Sequence, residues 1–97
     1  MAYYAVTYQY TDAPELRAEH RPRHVEFLSG QHEAGHLLVS GPLDGGSQAL
    51  LVFTAEDPKE LATTLDADPF HQEGLIARRS ITPWNVFFGS DRLSSAR

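Results

Sequence analysis

Apolar and polar residues alternate along this chain in patterns that predict strands separated by helices. Residues 3–10 are mostly aromatic or β-branched, which is typical of a strand, and Val6, Tyr8 and Tyr10 share one of its faces. Further strand-like segments lie at 36–40, 49–53, 75–81 and 84–88. Pro83 separates the last two of these, because proline interrupts a regular strand.

The first helix is predicted from Glu15 to about Ala34. Gly35 suits the position after its last turn, since glycine adopts the left-handed conformation at little steric cost. Pro22 predicts a kink or a new start inside this helix, because proline has no backbone N–H to donate. His24 lies on or beside the apolar stripe of the helix, so we expect its side chain to face inward.

A second helix is predicted after residues 57–60, which combine a capping aspartate, a proline for the first helical position and a glutamate that completes a capping box. The pair Asp68 and Pro69 repeats the cap-then-proline pattern and predicts a short helix that ends near Gly74. The Asp-Gly-Gly-Ser sequence at 44–47 is typical of a hairpin turn. The resulting β-α-β-β-α-β order, with a short extra helix before the last strand, predicts an α+β ferredoxin-like fold with a four-stranded antiparallel sheet.

The length of 97 residues predicts one domain over residues 1–97, in which the polar residues 90–97 are expected to fray. The hydrophobic share of 41% and charged share of 22% are typical of folded soluble domains. A net charge of −5 disfavours nucleic acid and anionic membranes as partners. Without a signal peptide or a long apolar segment, the expected location is the cytoplasm. The absence of cysteine excludes disulfides, thiolate metal sites and cysteine nucleophiles.

Three short motifs occur in order along this pattern. They are Arg21-Pro22-Arg23-His24 in the first helix, Ser40-Gly41-Pro42 after the second strand, and Asp68-Pro69-Phe70 after the second helix. Together, on a chain of this length, they resemble the YCII-like (YciI) family of the dimeric α+β barrel superfamily, which is related to the muconolactone-isomerase-like proteins. The resemblance covers essentially the whole chain. It implies a homodimer and a catalytic pair carried here by His24 and Asp68, and one branch of the family dehalogenates a chlorinated muconolactone-type lactone without a cofactor.

Such a pair has a definite chemistry. An imidazole accepts or donates a proton near neutral pH, and a carboxylate bonded to one ring nitrogen fixes the tautomer and stabilises the imidazolium. The pair suits removal of a proton beside a carbonyl, followed by elimination or isomerisation. We therefore predict a small cofactor-independent enzyme that acts on a small lactone or organic acid, with His24 as acid–base and Asp68 as its partner.

Each site residue also has a structural alternative. A histidine on an inward helix face is commonly a satisfied core residue, Asp68 has the position of a helix cap, and Asp66 is a competing acid two residues earlier. Three further residues are candidate substrate contacts: Ser40, Arg21 and Phe70. A serine at a strand end is commonly a turn former, a helix arginine is usually solvated, and an aromatic residue after a cap usually joins the core.

The histidines do not predict a metal site. His20 and His24 are four residues apart, as are His32 and His36, and this spacing can bring two imidazoles together on one helix face. Residues 32–36, His-Glu-Ala-Gly-His, match the letters of the H-E-x-x-H motif, but Gly35 ends the helix before His36, so the two imidazoles are not expected on one helix face.

The competing functional class is a non-catalytic dimeric module that binds a small ligand or a partner protein in the same pocket. A homodimer is expected in either class, because helices on one side of a sheet leave its other face apolar. Val6, Tyr8 and Tyr10 are expected to supply that face.

Overall fold

The computed structural model describes residues 2–94, in which the strands and helices follow the predicted order. The strands are β1 (Ala2–Tyr10), β2 (Leu37–Leu43), β3 (Gln48–Ala55) and β4 (Ile76–Trp84). The helices are α1 (Pro14–Glu33), α2 (Pro58–Leu65), α3 (Pro69–Gln72) and α4 (Ser90–Ser94). All strand pairs are antiparallel in the order β2-β3-β1-β4, which confirms the ferredoxin-like α+β fold. None of the helices within these residues has the length and apolar character needed to cross a bilayer.

Helix α1 continues through Pro22, so the predicted new start at this residue does not occur. It ends at Glu33 with Ala34 as its C-cap, after which Gly35 has a φ of 85°. The backbone N–H of His36 then donates to the carbonyl of Gln31 at 3.0 Å, which satisfies one of the free carbonyls of the last turn. The predicted end of this helix is therefore confirmed, and the chain turns directly into β2.

The predicted interruption at Pro83 is wrong, because β4 runs through it and Pro83 pairs with Tyr4 of β1. Strand β4 is an edge strand, where a residue without an N–H can face away from its neighbour without breaking the ladder. Strand β2 is the other edge and likewise continues past Pro42. The predicted strand at 84–88 is also wrong, since only Trp84 of that segment belongs to a strand.

The C-terminal part of the described chain is helical where fraying was expected. Helix α4 covers Ser90–Ser94, and residues 95–97 lie outside the described residues. Before this helix, Phe87 and Phe88 are 82% and 88% exposed and contact each other edge to face, with ring centroids 4.9 Å apart.

The core lies between the sheet and the helices, on the face that carries Val6 and Tyr8. Both side chains are 0% exposed and pack in one cluster with Leu61 and Leu65 of α2. The expectation that this face of β1 is left open is therefore wrong. A period of two separates the two faces of a strand, but it does not say which of them the helices cover. The open face carries the alternate residues, among them Thr7.

Candidate active site

A buried histidine–aspartate pair joins α1 to the start of α3. His24 is 7% exposed and Asp68 is 0% exposed. The Nδ1 atom of His24 lies 2.8 Å from Oδ1 and 3.1 Å from Oδ2 of Asp68. The two residues are 44 positions apart in sequence, so tertiary packing alone brings them together.

The Asp68 carboxylate accepts hydrogen bonds from three different elements. Besides His24, the backbone N–H of Phe70 donates to Oδ1 at 2.9 Å, and the Tyr8 hydroxyl donates to Oδ2 at 3.1 Å. A buried carboxylate needs such donors, because burial without them is strongly unfavourable. Asp68 is thus both the cap of α3 and the partner of His24, and the two interpretations of this residue do not exclude each other.

These contacts fix the tautomer of His24. Because the carboxylate oxygens accept from Nδ1, that nitrogen carries the hydrogen, and Nε2 of the neutral ring has the free lone pair. Nε2 makes no hydrogen bond with the described residues. Every buried side-chain nitrogen or oxygen of residues 2–94 does have a partner, so Nε2 must reach open space. The ring therefore presents a basic nitrogen to the outside of the core.

Phe70 holds the imidazole in place from the side. Its ring stacks on that of His24 with centroids 3.9 Å apart and planes 2° from parallel. Because Phe70 follows the cap of α3, the same aspartate that bonds to His24 also positions the ring that stacks on it. Rotation of the imidazole out of this plane would break both contacts.

A cavity of about 210 Å³ lies next to the pair. Four of the predicted site residues line it, namely Arg21, His24, Ser40 and Phe70. Asp68 does not line it, because it is fully buried, but it bonds to both His24 and Phe70 in the wall of the cavity. The predicted site residues therefore converge on one place, with the aspartate one layer deeper than the others.

Asp66, the competing acid, lies elsewhere. It is exposed, and its Oδ1 accepts from Arg79 at 2.9 Å and is 3.4 Å from Nε2 of His71. It follows α2 as the C-cap residue and is directed to the surface, away from His24.

Two tyrosines of β1 belong to the site although the sequence did not single them out for it. Tyr8 bonds to Asp68, and Tyr10 lines the cavity. Burial raises the pKa of Tyr8, and the nearby Asp68 charge raises it further. Burial also raises the pKa of Tyr10, again with a contribution from Asp68. Their period-two spacing places both on one face of β1, but this spacing alone does not show that the face is turned toward the helix that carries His24.

The remaining histidines of α1 and its C-terminal end have other partners. His20 lies near Glu19 and Glu73, His32 contacts the carbonyl of Leu37, and His36 contacts Gln31. Within the described part of the chain, no three histidine, aspartate or glutamate side chains lie close enough to hold a metal ion.

Fold and site together define a small ferredoxin-like domain with a buried imidazole–carboxylate pair at a cavity. The family model of the YCII-related domain matches residues 1–85, and the chain belongs to this family. A comparison with curated proteins gives no match.

Three solved structures share the fold at low sequence identity. The 5-chloro-2-hydroxyhydroquinone dehydrochlorinase of Burkholderia phenoliruptrix AC1100, solved with 2,5-dihydroxybenzoquinone, is 19% identical with a TM-score of 0.77, over 88% of this chain and 95% of that one. A NIPSNAP domain protein of Burkholderia xenovorans is 16% identical with a TM-score of 0.53, over 91% and 96% of the two chains. Protein Atu4242 of Agrobacterium tumefaciens is 16% identical with a TM-score of 0.55, over 91% and 95%.

The contact between Tyr8 and Asp68 generates a prediction on stability. We expect Tyr8→Phe to lower the free energy of unfolding by about 1.5–3 kcal/mol at pH 7, because a hydrogen bond to a buried charged group is lost. The wild-type protein should lose stability above about pH 10, where the unfolded chain releases the tyrosine proton that the folded state retains. Below that pH the contribution of the Tyr8 hydroxyl to the free energy of unfolding does not change with tyrosine ionisation. Urea unfolding at pH 7 and at pH 11 measures both effects.

The matched control is Tyr3→Phe, on the opposite face of β1. It should leave stability at pH 7 within about 0.5 kcal/mol of the wild type. The decline at alkaline pH should be shallower in Tyr8→Phe than in the wild type. Equal stability of Tyr8→Phe and wild type at pH 7 would show that the hydroxyl does not support Asp68.

Proposed function

We propose that the protein is a small cofactor-independent enzyme that uses His24 and Asp68 for acid–base chemistry on a small lactone, organic acid or hydroxyquinone. The observation that carries this proposal is the 2.8 Å contact of Nδ1 with Asp68, which leaves Nε2 without a protein partner and open beside a cavity. In a purely structural core histidine, both ring nitrogens would be expected to have protein partners, whereas Nε2 of His24 has none among the described residues.

The first step would be proton removal by Nε2 of His24. The C–H bond beside a substrate carbonyl breaks, its electron pair forms a carbon–carbon double bond, and the carbonyl oxygen becomes negatively charged. The imidazole becomes an imidazolium, which the adjacent Asp68 carboxylate stabilises in surroundings from which water is excluded. General-base catalysis of this kind contributes about 10²–10⁴-fold.

Two outcomes follow from the same intermediate. In an elimination, an electron pair on the oxygen reforms the carbonyl, and the pair of the enolate double bond forms a new double bond between the α and β carbons. A leaving group such as chloride departs from the β carbon with its bonding pair, and the imidazolium releases its proton to solvent. In an isomerisation, the imidazolium returns the proton to a different carbon. Neither outcome changes the oxidation state of an external reactant, so neither requires a redox cofactor.

The size of the cavity limits the substrate. A volume of about 210 Å³ is below the 300–1,000 Å³ that is usual for ligand pockets, so a one-ring compound fits better than a nucleotide or peptide. Arg21 at its wall would bind a carboxylate or enolate, and Ser40 would donate a hydrogen bond.

The dehydrochlorinase of similar fold supports the choice of compounds. Its name describes loss of chloride from 5-chloro-2-hydroxyhydroquinone, and its structure holds 2,5-dihydroxybenzoquinone. Both are one-ring oxygen-rich compounds of the size that this cavity would take. We propose chlorinated hydroxyhydroquinones and chlorinated muconolactone-type lactones as the first substrates to test.

We further propose that two copies form a homodimer through the open face of the sheet. On this face Val39 of β2 is 48% exposed, and Trp84 of β4, which pairs with Tyr3, is 43% exposed. Apolar residues on both edges of an uncovered sheet favour burial against a second copy. The resemblance to the dimeric α+β barrel proteins supports a second copy of this chain as the occupant.

The catalytic proposal predicts the effect of His24→Gln. Glutamine keeps an amide N–H for Asp68 but has no basic nitrogen, so turnover should fall by about 10²–10⁴-fold while the protein stays folded. Asp68→Asn keeps a cap oxygen for α3 but offers an N–H to the imidazole, so it should also lower kcat by at least about tenfold through the wrong tautomer. The turnover of both variants is measured by chloride release and by the change in substrate absorbance.

The control is His36→Ala, an exposed histidine that follows the C-terminal end of α1, which should retain wild-type turnover. Equal loss in His36→Ala would point to a general folding defect. If the wild-type protein binds 2,5-dihydroxybenzoquinone but converts no compound of the panel, it is a binding module and the catalytic proposal fails.

The dimer proposal predicts a solution mass of twice the 10.8 kDa chain mass in sedimentation at micromolar concentration. Val39→Lys should shift the protein toward the monomer, because it places a charge in the proposed interface. Leu16→Lys changes a residue that is equally exposed but lies on α1, and it should leave the dimer intact. A monomeric wild-type protein would contradict the proposal.

A further inference from the structure

Tyr10 occupies an irregular place at the end of β1. The pairing of β1 with β4 shifts register between Gln9 and Tyr10, so that Gln9 pairs with Arg78 and Tyr10 pairs with Ile76. Such irregularities often redirect a side chain next to a functional site. Tyr10, at this irregularity, is one of the residues that line the cavity beside His24.

Contacts on several sides hold the Tyr10 ring. It packs edge to face against Phe70, with centroids 5.6 Å apart, and against Tyr8, with centroids 6.2 Å apart. The Arg17 guanidinium lies over it, 5.1 Å from the centroid. Phe70 in turn stacks on His24, so the tyrosine and the catalytic imidazole are positioned by the same aromatic ring.

The hydroxyl of Tyr10 is available to a ligand. It makes no hydrogen bond to the described residues, although every buried side-chain oxygen among them has a partner, so the hydroxyl must reach open space. Tyr8 differs in this respect, because its hydroxyl is already bonded to Asp68.

The cavity is suited to an anion although the chain is acidic. The chain has a net charge of −5, yet the described residues that line the cavity include Arg21 and no aspartate or glutamate. Arg17 adds a second positive charge against Tyr10. Arg21 at the wall, with Arg17 nearby, would attract a negatively charged group to this cavity, against the opposing charge of the buried Asp68.

We propose that Tyr10 donates its hydroxyl to the substrate oxygen that becomes negatively charged when His24 removes the proton. The site would thus take small planar carbonyl compounds whose enolate or phenolate oxygen lies between Tyr10 and Arg21. The catalytic half of this inference rests on the proposed function, whereas the binding of an oxyanion does not.

The protonation of Tyr10 supports this role. Burial and the Asp68 charge raise the pKa of its hydroxyl, and the lowering effects of Arg21 and Arg17 are smaller. The phenol therefore stays protonated at neutral pH and can donate. Loss of one preorganised donor to an oxyanion lowers kcat by about 10²–10³-fold in enzymes that depend on it.

The test uses 4-nitrophenol, a one-ring compound whose ionised form has a visible absorbance. We expect the full-length protein to bind the phenolate and to favour its ionised form over the phenol. Tyr10→Phe should weaken phenolate binding by about 10–150-fold, the loss expected for one hydrogen bond to a charged group. Binding of 4-nitroanisole, which has no oxyanion, should change less than about threefold in the same variant.

Tyr3→Phe is the matched control, since it removes a hydroxyl from the opposite face of the same strand, and it should bind phenolate as the wild type does. Unchanged phenolate affinity in Tyr10→Phe would overturn the proposal. An equal loss for phenolate and anisole would overturn it as well, because it would show that the ring packing and not the hydroxyl matters.

The kinetic arm separates this inference from the proposed function. With a substrate in hand, Tyr10→Phe should lower kcat more than it raises KM, as expected for a contact made in the transition state. If His24→Gln abolishes turnover while Tyr10→Phe is fully active, the oxyanion role is wrong and the proposed function stands. If phenolate binding depends on Tyr10 but no turnover is found, the oxyanion site stands and the proposed function fails.

Discussion

The carboxylate of Asp68 imposes the strictest requirement in this fold, because a fully buried charge must be matched by donors on several sides. β1 supplies the hydroxyl of Tyr8, α1 supplies Nδ1 of His24, and α3 supplies the N–H of Phe70. These donors come from the sheet, the long helix and the short helix. If any one of the three elements moved by an ångström or two, a buried charge would lose a partner. The hydrogen bonds of the carboxylate therefore constrain the relative positions of β1, α1 and α3.

The basic nitrogen of the site is a consequence of the same requirement. When Nδ1 of a histidine donates to a buried acceptor, the other ring nitrogen, Nε2, points away from that acceptor. Because Asp68 lies in the interior, that direction leads outward to the cavity. The stacked ring of Phe70 then limits the imidazole to this orientation. The stability of the core and the availability of a proton acceptor thus depend on one hydrogen bond.

The sequence was informative where a single residue decides the local backbone, and less so where tertiary pairing decides. Gly35 ends α1 and Asp57 caps α2 as predicted, since each depends on its immediate neighbours. Pro83 did not break β4, because the position of a strand at the edge of a sheet is a property of the whole topology. The covered face of β1 was assigned wrongly because the packing of the helices, and not the alternation along the strand, decides which face is buried. Tyr8 and Tyr10 were consequently not included in the predicted site. The pairing of His24 with Asp68, by contrast, was predicted from the family resemblance of the three motifs.

The inserted helix α3 explains how a common fold can carry this histidine–aspartate pair. The β-α-β-β-α-β order needs only α1 and α2 to cover its sheet, and folds of this kind have unrelated functions. Asp68 and Phe70 both belong to the four-residue helix inserted after α2, as its cap and as its second residue. Without this insertion His24 would have neither its carboxylate nor its stacking partner, and the cavity would lose one wall. A ferredoxin-like domain that lacks the cap-proline-aromatic segment should therefore retain the sheet and lose the histidine–aspartate pair.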